Sequence, residues 1–242
     1  MDGIIILNKP TGITSAKALY RVRSIVKERK SGHAGTLDPG ATGVLVLCLG
    51  RATKLVELIM DHPKVYRASA RLDVTSDSLD SDSPLIPVEA PAVPSPAELA
   101  EAMASFEGLT EQAPPKISAV KVGGVPAYKR ARRSETVELA ARLVRIDWLH
   151  VHRFDWPELD FEMCCGRGTY VRSLVRDLGE KLRTGGCLTA LARTRVGPFT
   201  VANAHSFESL TAASGPEDYL IPLERAREWL DPDRVAIPGR PG

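Results

Sequence analysis

Residues 31–50 read SGHAGTLDPGATGVLVLCLG, and the two halves of this stretch ask for different structures. GVLVLCLG is a continuous apolar run too short for most helices, so it predicts a buried strand. Residues 31–43 hold four glycines around one histidine and one aspartate, with Pro39 fixing the chain just after Asp38. A glycine loop therefore feeds a strand. A Walker loop would need GK[ST] after its glycines, and a dinucleotide fingerprint would need GxGxxG between strand and helix. Neither is present, so the loop is not built for nucleotide phosphates. On spacing alone, a lone carboxylate in such a loop reads either as a turn residue or as a catalyst.

Working outward, GIIIL near the N terminus is a strand candidate, and Thr14 or Ser15 caps a helix whose apolar residues are Leu19, Val22, Ile25 and Val26. Its other face is basic, and Gly32 is expected to stop it. On the C-terminal side of the loop, TKLVELIMD predicts a helix. VYRASARL alternates, which puts Tyr66 on one face with Ala68, Ala70 and Leu72. Five prolines between Pro84 and Pro96 make a loop, closed by a capping box of Ser95 and Glu98 ahead of a helix to about Phe106. Two strands follow near Leu143–Phe154 and Leu159–Cys165. After GRGT, the set Val171, Leu174, Val175, Leu178 and Leu182 builds an amphipathic helix, with Arg172 and Arg176 sharing another side of it. The tail after Gly215 is rich in proline and charge, and shows little core-forming pattern. Strands interleaved irregularly with helices predict an α+β fold.

At 242 residues and 43% hydrophobic content the chain can bury one large core or two small ones. No apolar run approaches the roughly 20 residues needed to span a bilayer, and the opening MDGIIILNKP carries an acid where a signal peptide carries basic charge. Cytoplasmic residence is the expectation. Cys48, Cys164, Cys165 and Cys187 form no CxxC pair and read as buried thiols. There is no HExxH and no cysteine–histidine ladder, the five histidines are scattered, and no GxSxG elbow is present, so neither a metal site nor a serine triad is expected. A net charge of +2 hides an uneven distribution. Lys17, Arg21, Arg23, Lys27, Arg29 and Lys30 crowd one stretch with only Glu28 against them, and KISAVKVGGVPAYKRARR holds six cations and no acid. Clusters of this kind suit a polyphosphate partner, or else form solvated faces.

LNKPTGITS, HAGTLDPGATGVL, KVYRASARL, SAVKVGGVPAY and GRGTYVRSLVRDLGEKL, in this order from Gly3 to Val196, resemble the TruB-type tRNA pseudouridine synthases. The resemblance implies a pseudouridine synthase fold: a mixed, mainly antiparallel central sheet flanked by helices, with an active-site cleft. It implies a catalytic domain over residues 1–215, with an exposed basic insertion at about 113–135, and a tail over 216–242. Family enzymes commonly continue into a C-terminal RNA-binding domain of PUA type, for which this chain leaves no room before Gly242.

The implied reaction isomerises the T-loop uridine of tRNA, position 55, without a cofactor, because an ionised carboxylate held against the sugar is enough. Asp38 matches the essential aspartate, Tyr66 the tyrosine stacked on the flipped uracil, and Arg172 the arginine paired with the aspartate. His33 matches the histidine that wedges into the T-loop, in keeping with the need to flip a base before acting on it. Tyr170 and Leu191 match pocket residues, although CLTALARTR departs from the usual residues around Leu191, and Lys9 matches a lysine beside the pocket. Lys129, Arg130, Arg132 and Arg133 lie in the insertion that closes over the T-arm, where Ile117 stands in place of the usual aromatic. The implied partner is the T-arm stem-loop, met by a monomer with no obligate protein partner and no membrane. The rivals are a non-catalytic tRNA-binding or folding factor, for which the basic clusters suffice, and a glycosidic hydrolase, which usually needs a second carboxylate or a metal.

Overall fold

Strand β1 (Gly3–Lys9) is the GIIIL run extended by two residues, buried along its whole length except at Asn8. A computed structural model of the protein describes residues 1–118, 121–122, 125–126, 139–231 and 236–241. Helix α1 (Ser15–Val26) starts where the Thr14 side chain accepts the Lys17 amide, and buries Ala18, Val22 and Val26. It stops earlier than the glycine rule predicts. Lys27 takes the left-handed conformation at φ 55°, while Gly32 lies inside strand β2 (Ser31–His33). The reason is pairing: Ser31, Gly32 and His33 must run antiparallel to Leu49, Cys48 and Leu47 of β3 (Thr42–Leu49), so the turn has to be complete before residue 31.

The chain continues through a 3-10 turn (Gly50–Leu55), α2 (Val56–Asp61), β4 (Lys64–Arg71), β5 (Val74–Thr75) and β6 (Ile86–Pro87). Helix α3 (Pro96–Ala104) carries the Ser95–Glu98 capping box, with both reciprocal bonds formed. Next come β7 (Gly108–Gln112), β8 (Lys121–Val122), β9 (Val125–Pro126), β10 (Arg142–Asp155), β11 (Glu158–Cys165) and α4 (Val171–Leu182). The remaining elements are β12 (Cys187–Val196), β13 (Phe199–Thr200), α5 (Phe207–Ala212), β14 (Ile221–Pro222) and α6 (Leu223–Trp229).

Two compact units divide these elements, and the chain passes between them within β4 and within β12. The first comprises Met1–Arg67 and Leu191–Gly242. Here β1 pairs antiparallel with β3 over seven residues, from Gly3↔Leu49 to Lys9↔Gly43. Strand β12 joins the other side of β3 in parallel, with Arg193 opposite Gly43. The sheet is thus mixed but mainly antiparallel. Its core gathers Ile4, Ile6, Val44, Val46, Cys48, Ile59 and Phe199 with Leu223, Ala226 and Leu230. Those last three belong to the tail, which corrects the expectation of little core-forming pattern there: β14 pairs with β1 and α6 packs under it. The tail's apolar residues are too few and too widely spaced to show a period, yet Leu223, Ala226 and Leu230 are buried because the sheet already supplies a face.

In the second unit (Ala68–Ala190), β7, β10 and β11 form an antiparallel sheet, with a register shift in β10 between Val151 and Arg153. Helix α4 buries Val171, Leu174, Val175 and Leu178, and packs against α3. All four cysteines are buried thiols. Among the described residues no helix is long and apolar enough to cross a membrane.

Candidate active site

In the first unit, the glycine loop between β2 and β3 is held by side chains from three other elements. Ser15, buried at the start of α1, accepts the Leu37 amide at 2.8 Å and donates to the Leu37 carbonyl at 3.0 Å. Lys9 ends β1 with its side chain fully buried, and its ammonium donates to the carbonyls of Pro10 (2.9 Å), Ile13 (2.8 Å) and Pro39 (3.3 Å). The Gly12 amide also donates to the Pro39 carbonyl. Arg193 of β12 donates from Nε to the Val44 carbonyl at 2.8 Å and from Nη2 to the Gly35 carbonyl at 3.0 Å. Asp38 is half-buried between these anchor points, and its carbonyl accepts the Ala41 amide. Two glycines are required by geometry. Gly35 sits at φ +94°, and at Gly43 (φ +99°) a Cβ would collide with the Arg193 backbone, because β3 and β12 touch there.

The electrostatics of this loop are dominated by buried cations. Burial pushes the Lys9 ammonium down to about 8; Asp38's charge opposes that shift and Arg193's charge adds to it. His33 is pushed below the usual histidine value, first by burial and then by Arg193, and its Nδ1 is buried without a hydrogen-bond partner. Imidazole is therefore neutral at physiological pH. Tyr66 in β4 is buried on the same side as Ala68, Ala70 and Leu72, as the alternation predicts. Leu191 is half-buried, and its carbonyl accepts the Thr42 hydroxyl at 3.4 Å.

In the second unit, Tyr170 caps α4, donates its amide to Gln112 Oε1 at 2.8 Å and lies under the Arg142 guanidinium, 5.4 Å from the ring centre. Arg172 is 4% exposed despite its charge. It donates to the carbonyls of Ser78 (2.8 Å) and Ile117 (3.1 Å), and its Nε stands 3.6 Å from Asp80 Oδ2. The loop that offers Ser78 and Asp80 is tight: Leu79 takes φ 62°, Ser76 Oγ donates to the Asp80 carbonyl, and the Leu188 amide donates to the Leu79 carbonyl.

The structure brings Lys9, His33, Asp38, Tyr66 and Leu191 into the first unit and Tyr170 and Arg172 into the second. Lys129, Arg130, Arg132 and Arg133 lie outside the described residues. Three participants go unrecognised in the sequence. Ser15 is visible there only as one of two cap candidates, Asp80 only as one acid in DVTSDSLDSD, and Arg193 only as one cation in CLTALARTR.

Residues 23–171 match the N-terminal domain of the TruB family of pseudouridylate synthases, and residues 172–227 match the tRNA pseudouridylate synthase B C-terminal domain. The tRNA pseudouridine synthase B of Syntrophus aciditrophicus (strain SB) is 42% identical over 226 residues, covering 92% of this chain and 72% of that protein. Its namesake from Thermobifida fusca (strain YX) is 43% identical over 233 residues, covering 93% of this chain and 78% of its own length. Among solved structures, a chain of a Cbf5-Nop10-Gar1 complex matches with TM-score 0.69 and 28% identity, over 87% of this chain and 54% of that one. A chain of an H/ACA RNP bound to a substrate RNA containing 2'-deoxyuridine matches with TM-score 0.70 and 24% identity, over 94% of this chain and 61% of that one, and shares the fold. Both family matches, and relatives above 40% identity over nine-tenths of the residues, lead to one conclusion: the chain belongs to the TruB family of pseudouridylate synthases and isomerises uridine in tRNA to pseudouridine.

Proposed function

We propose that the uridine is the one at position 55, in the T-loop, and that Asp38 is the carboxylate that reacts. The observation that carries this reading is the anchoring of the loop on both sides of Asp38, through the Gly35 carbonyl upstream and the Pro39 carbonyl downstream. Catalysis that depends on one carboxylate against a sugar needs that carboxylate fixed before substrate arrives. The N1–C1′ bond breaks, the base turns, and a C5–C1′ bond forms; C5 gives up a proton and N1 takes one, so the nucleotide keeps its formula. No oxidant, reductant or hydrolytic water is consumed. Either attack of Asp38 at C1′ or removal of a C2′ proton meets that balance, and neither calls for a cofactor.

Around this centre, neutral His33 wedges into the T-loop, Tyr66 stacks on the flipped uracil, and Tyr170 and Leu191 line the pocket. Arg172, with its guanidinium already fixed by two carbonyls and Asp80, directs the Asp38 carboxylate. Lys129, Arg130, Arg132 and Arg133 of the insertion grip the T-arm. The partner is the T-arm stem-loop, bound by a monomer in the cytoplasm.

Release of tritium from tRNA labelled at uridine C5 tests the reading. Asp38→Asn is expected to abolish release while tRNA affinity stays within about tenfold, roughly 1.4 kcal/mol. Turnover in the purified variant, or release from a position outside the T-loop, would show the assignment to be wrong.

A further inference from the structure

We propose that Arg193 is a positioning residue for the reaction: its guanidinium ties the Gly35 carbonyl of the Asp38 loop to the Val44 carbonyl of strand β3, and so fixes where Asp38 stands relative to the sheet. The inference rests on the reading that Asp38 is the reacting carboxylate.

Arg193 is among the largest fully buried side chains of the protein, 1% exposed, so it is not a surface contact for RNA phosphate. A buried guanidinium is costly unless its donors are used and its charge is answered nearby, and a leucine or methionine would fill the volume without that cost. The position must therefore use what only arginine has. Arginine's donors form a rigid planar fork, so the two acceptors it bridges are held at a set separation and angle. One acceptor, Val44, belongs to a strand paired on both sides, with β1 and with β12. The other, Gly35, belongs to the loop, three residues before Asp38. The fork thus transfers the rigidity of the sheet to the loop.

Three further observations fit this role. Gly35 stands at φ +94°, and a Cβ there would sit 3.3 Å from Arg193 Nη1, so the loop residue and the guanidinium are matched in shape. Lys9 makes the complementary attachment one residue after Asp38, through Pro39. Arg193's charge also contributes to the low proton affinity of both Lys9 and His33, which places it electrically inside the site although it is sterically outside the substrate's reach.

The experiment measures single-turnover rate, tRNA dissociation constant and thermal midpoint for Arg193→Gln, Arg193→Lys, Gly35→Ala, the Gly35→Ala/Arg193→Gln double variant, and Asp38→Asn. Arg193→Gln is expected to lower the single-turnover rate about 100-fold with tRNA affinity nearly unchanged, the loss expected of a small misplacement of a reacting group. Arg193→Lys, which keeps the charge but loses the fork, should recover part of that loss. Because Gly35→Ala disturbs the same link from the other end, the double variant should be no slower than the slower single one. The alkaline fall in rate near Lys9's value of about 8 should move upward in Arg193→Gln, since a neighbouring positive charge has gone.

A residue that only supports the fold would lower the thermal midpoint, leave the rate per folded molecule where it is, and combine independently with Gly35→Ala. That pattern overturns the proposal. Should Arg193→Gln fail to fold, Arg193→Lys and Gly35→Ala still decide it, since near wild-type rates in both would sink it. Activity in Asp38→Asn would instead overturn the reading on which the inference stands.

Discussion

Lys9 shows how one side chain can trade stability for a working site. Its three carbonyl partners take three donors, which only the protonated ammonium supplies. Burial nonetheless lowers its proton affinity to about 8, against an ordinary value near 10.4 in the unfolded chain. Between those values the unfolded chain holds more protons than the folded one, so Lys9's contribution to stability rises with pH across that window. Below pH 8 the folded protein carries the full cost of the buried charge. Catalysis should run the other way. Once the amine is neutral it has two donors for three carbonyls, and the longest link, 3.3 Å to Pro39, is the first to weaken. Rate is therefore expected to fall as pH rises through about 8, while Lys9's share of stability improves. Comparing rate and thermal midpoint from about pH 6 to about pH 10 in wild type and Lys9→Met isolates both effects from the N-terminal amine, which also titrates there and is paired with Glu28. An alkaline limb that survives in Lys9→Met would assign it to another group.

Among the elements, the tail makes the sharpest demand on experiment. Leu223 and Leu230 of the α6 region are 3% and 1% exposed in the core of the first unit, beside Ile4 and Val46. Leu223→Ala should therefore cost about 2–5 kcal/mol, as a buried leucine does, and the loss should show as a lower urea midpoint. A change under about 0.5 kcal/mol, typical of a surface site, would mean the helix is not part of that core. What could be read in advance divides along physical lines. Elements with a strong period or a local cap were legible: the continuous run of β3, the amphipathic face of α4, the Ser95–Glu98 box, and the buried side of β4 that holds Tyr66. Where tertiary pairing overrides local preference, the sequence is silent. Lys27 rather than Gly32 takes the left-handed turn because β2 needs Gly32 in register with Cys48. The same holds for the site. The loop around Asp38 announces itself through its glycines, but Asp80 on Arg172 and Arg193 on Gly35 join residues 92 and 158 positions apart, and no local pattern encodes those contacts.

At the scale of the whole molecule, the charge is arranged for a polyanion although the net value is only +2. On and just after α1, Lys17, Arg21, Lys27, Arg29 and Lys30 are exposed. The one acid among them, Glu28, is occupied by the N-terminal ammonium at 2.7 Å, so it does little to cancel them. A second group of cations, Lys129, Arg130, Arg132 and Arg133, lies in the segment proposed as the insertion. Each lysine or arginine that neutralises a phosphate releases condensed counterions, which makes tRNA affinity fall with salt. Removing one such contact should flatten the slope of log affinity against log salt by about one unit. Replacing Lys17, Arg29 and Lys30 together by alanine is expected to weaken binding about equally for every tRNA and flatten the slope by up to about three units. The single-turnover rate at saturation should be unchanged, because none of the three residues touches the Asp38 loop. Neutralising the four insertion cations should flatten the slope too, and if that segment also closes over the T-arm it should lower the saturated rate as well. An unchanged slope in either variant would mean that its cations face solvent, and the tRNA path would then have to be sought on the face carrying the other cluster.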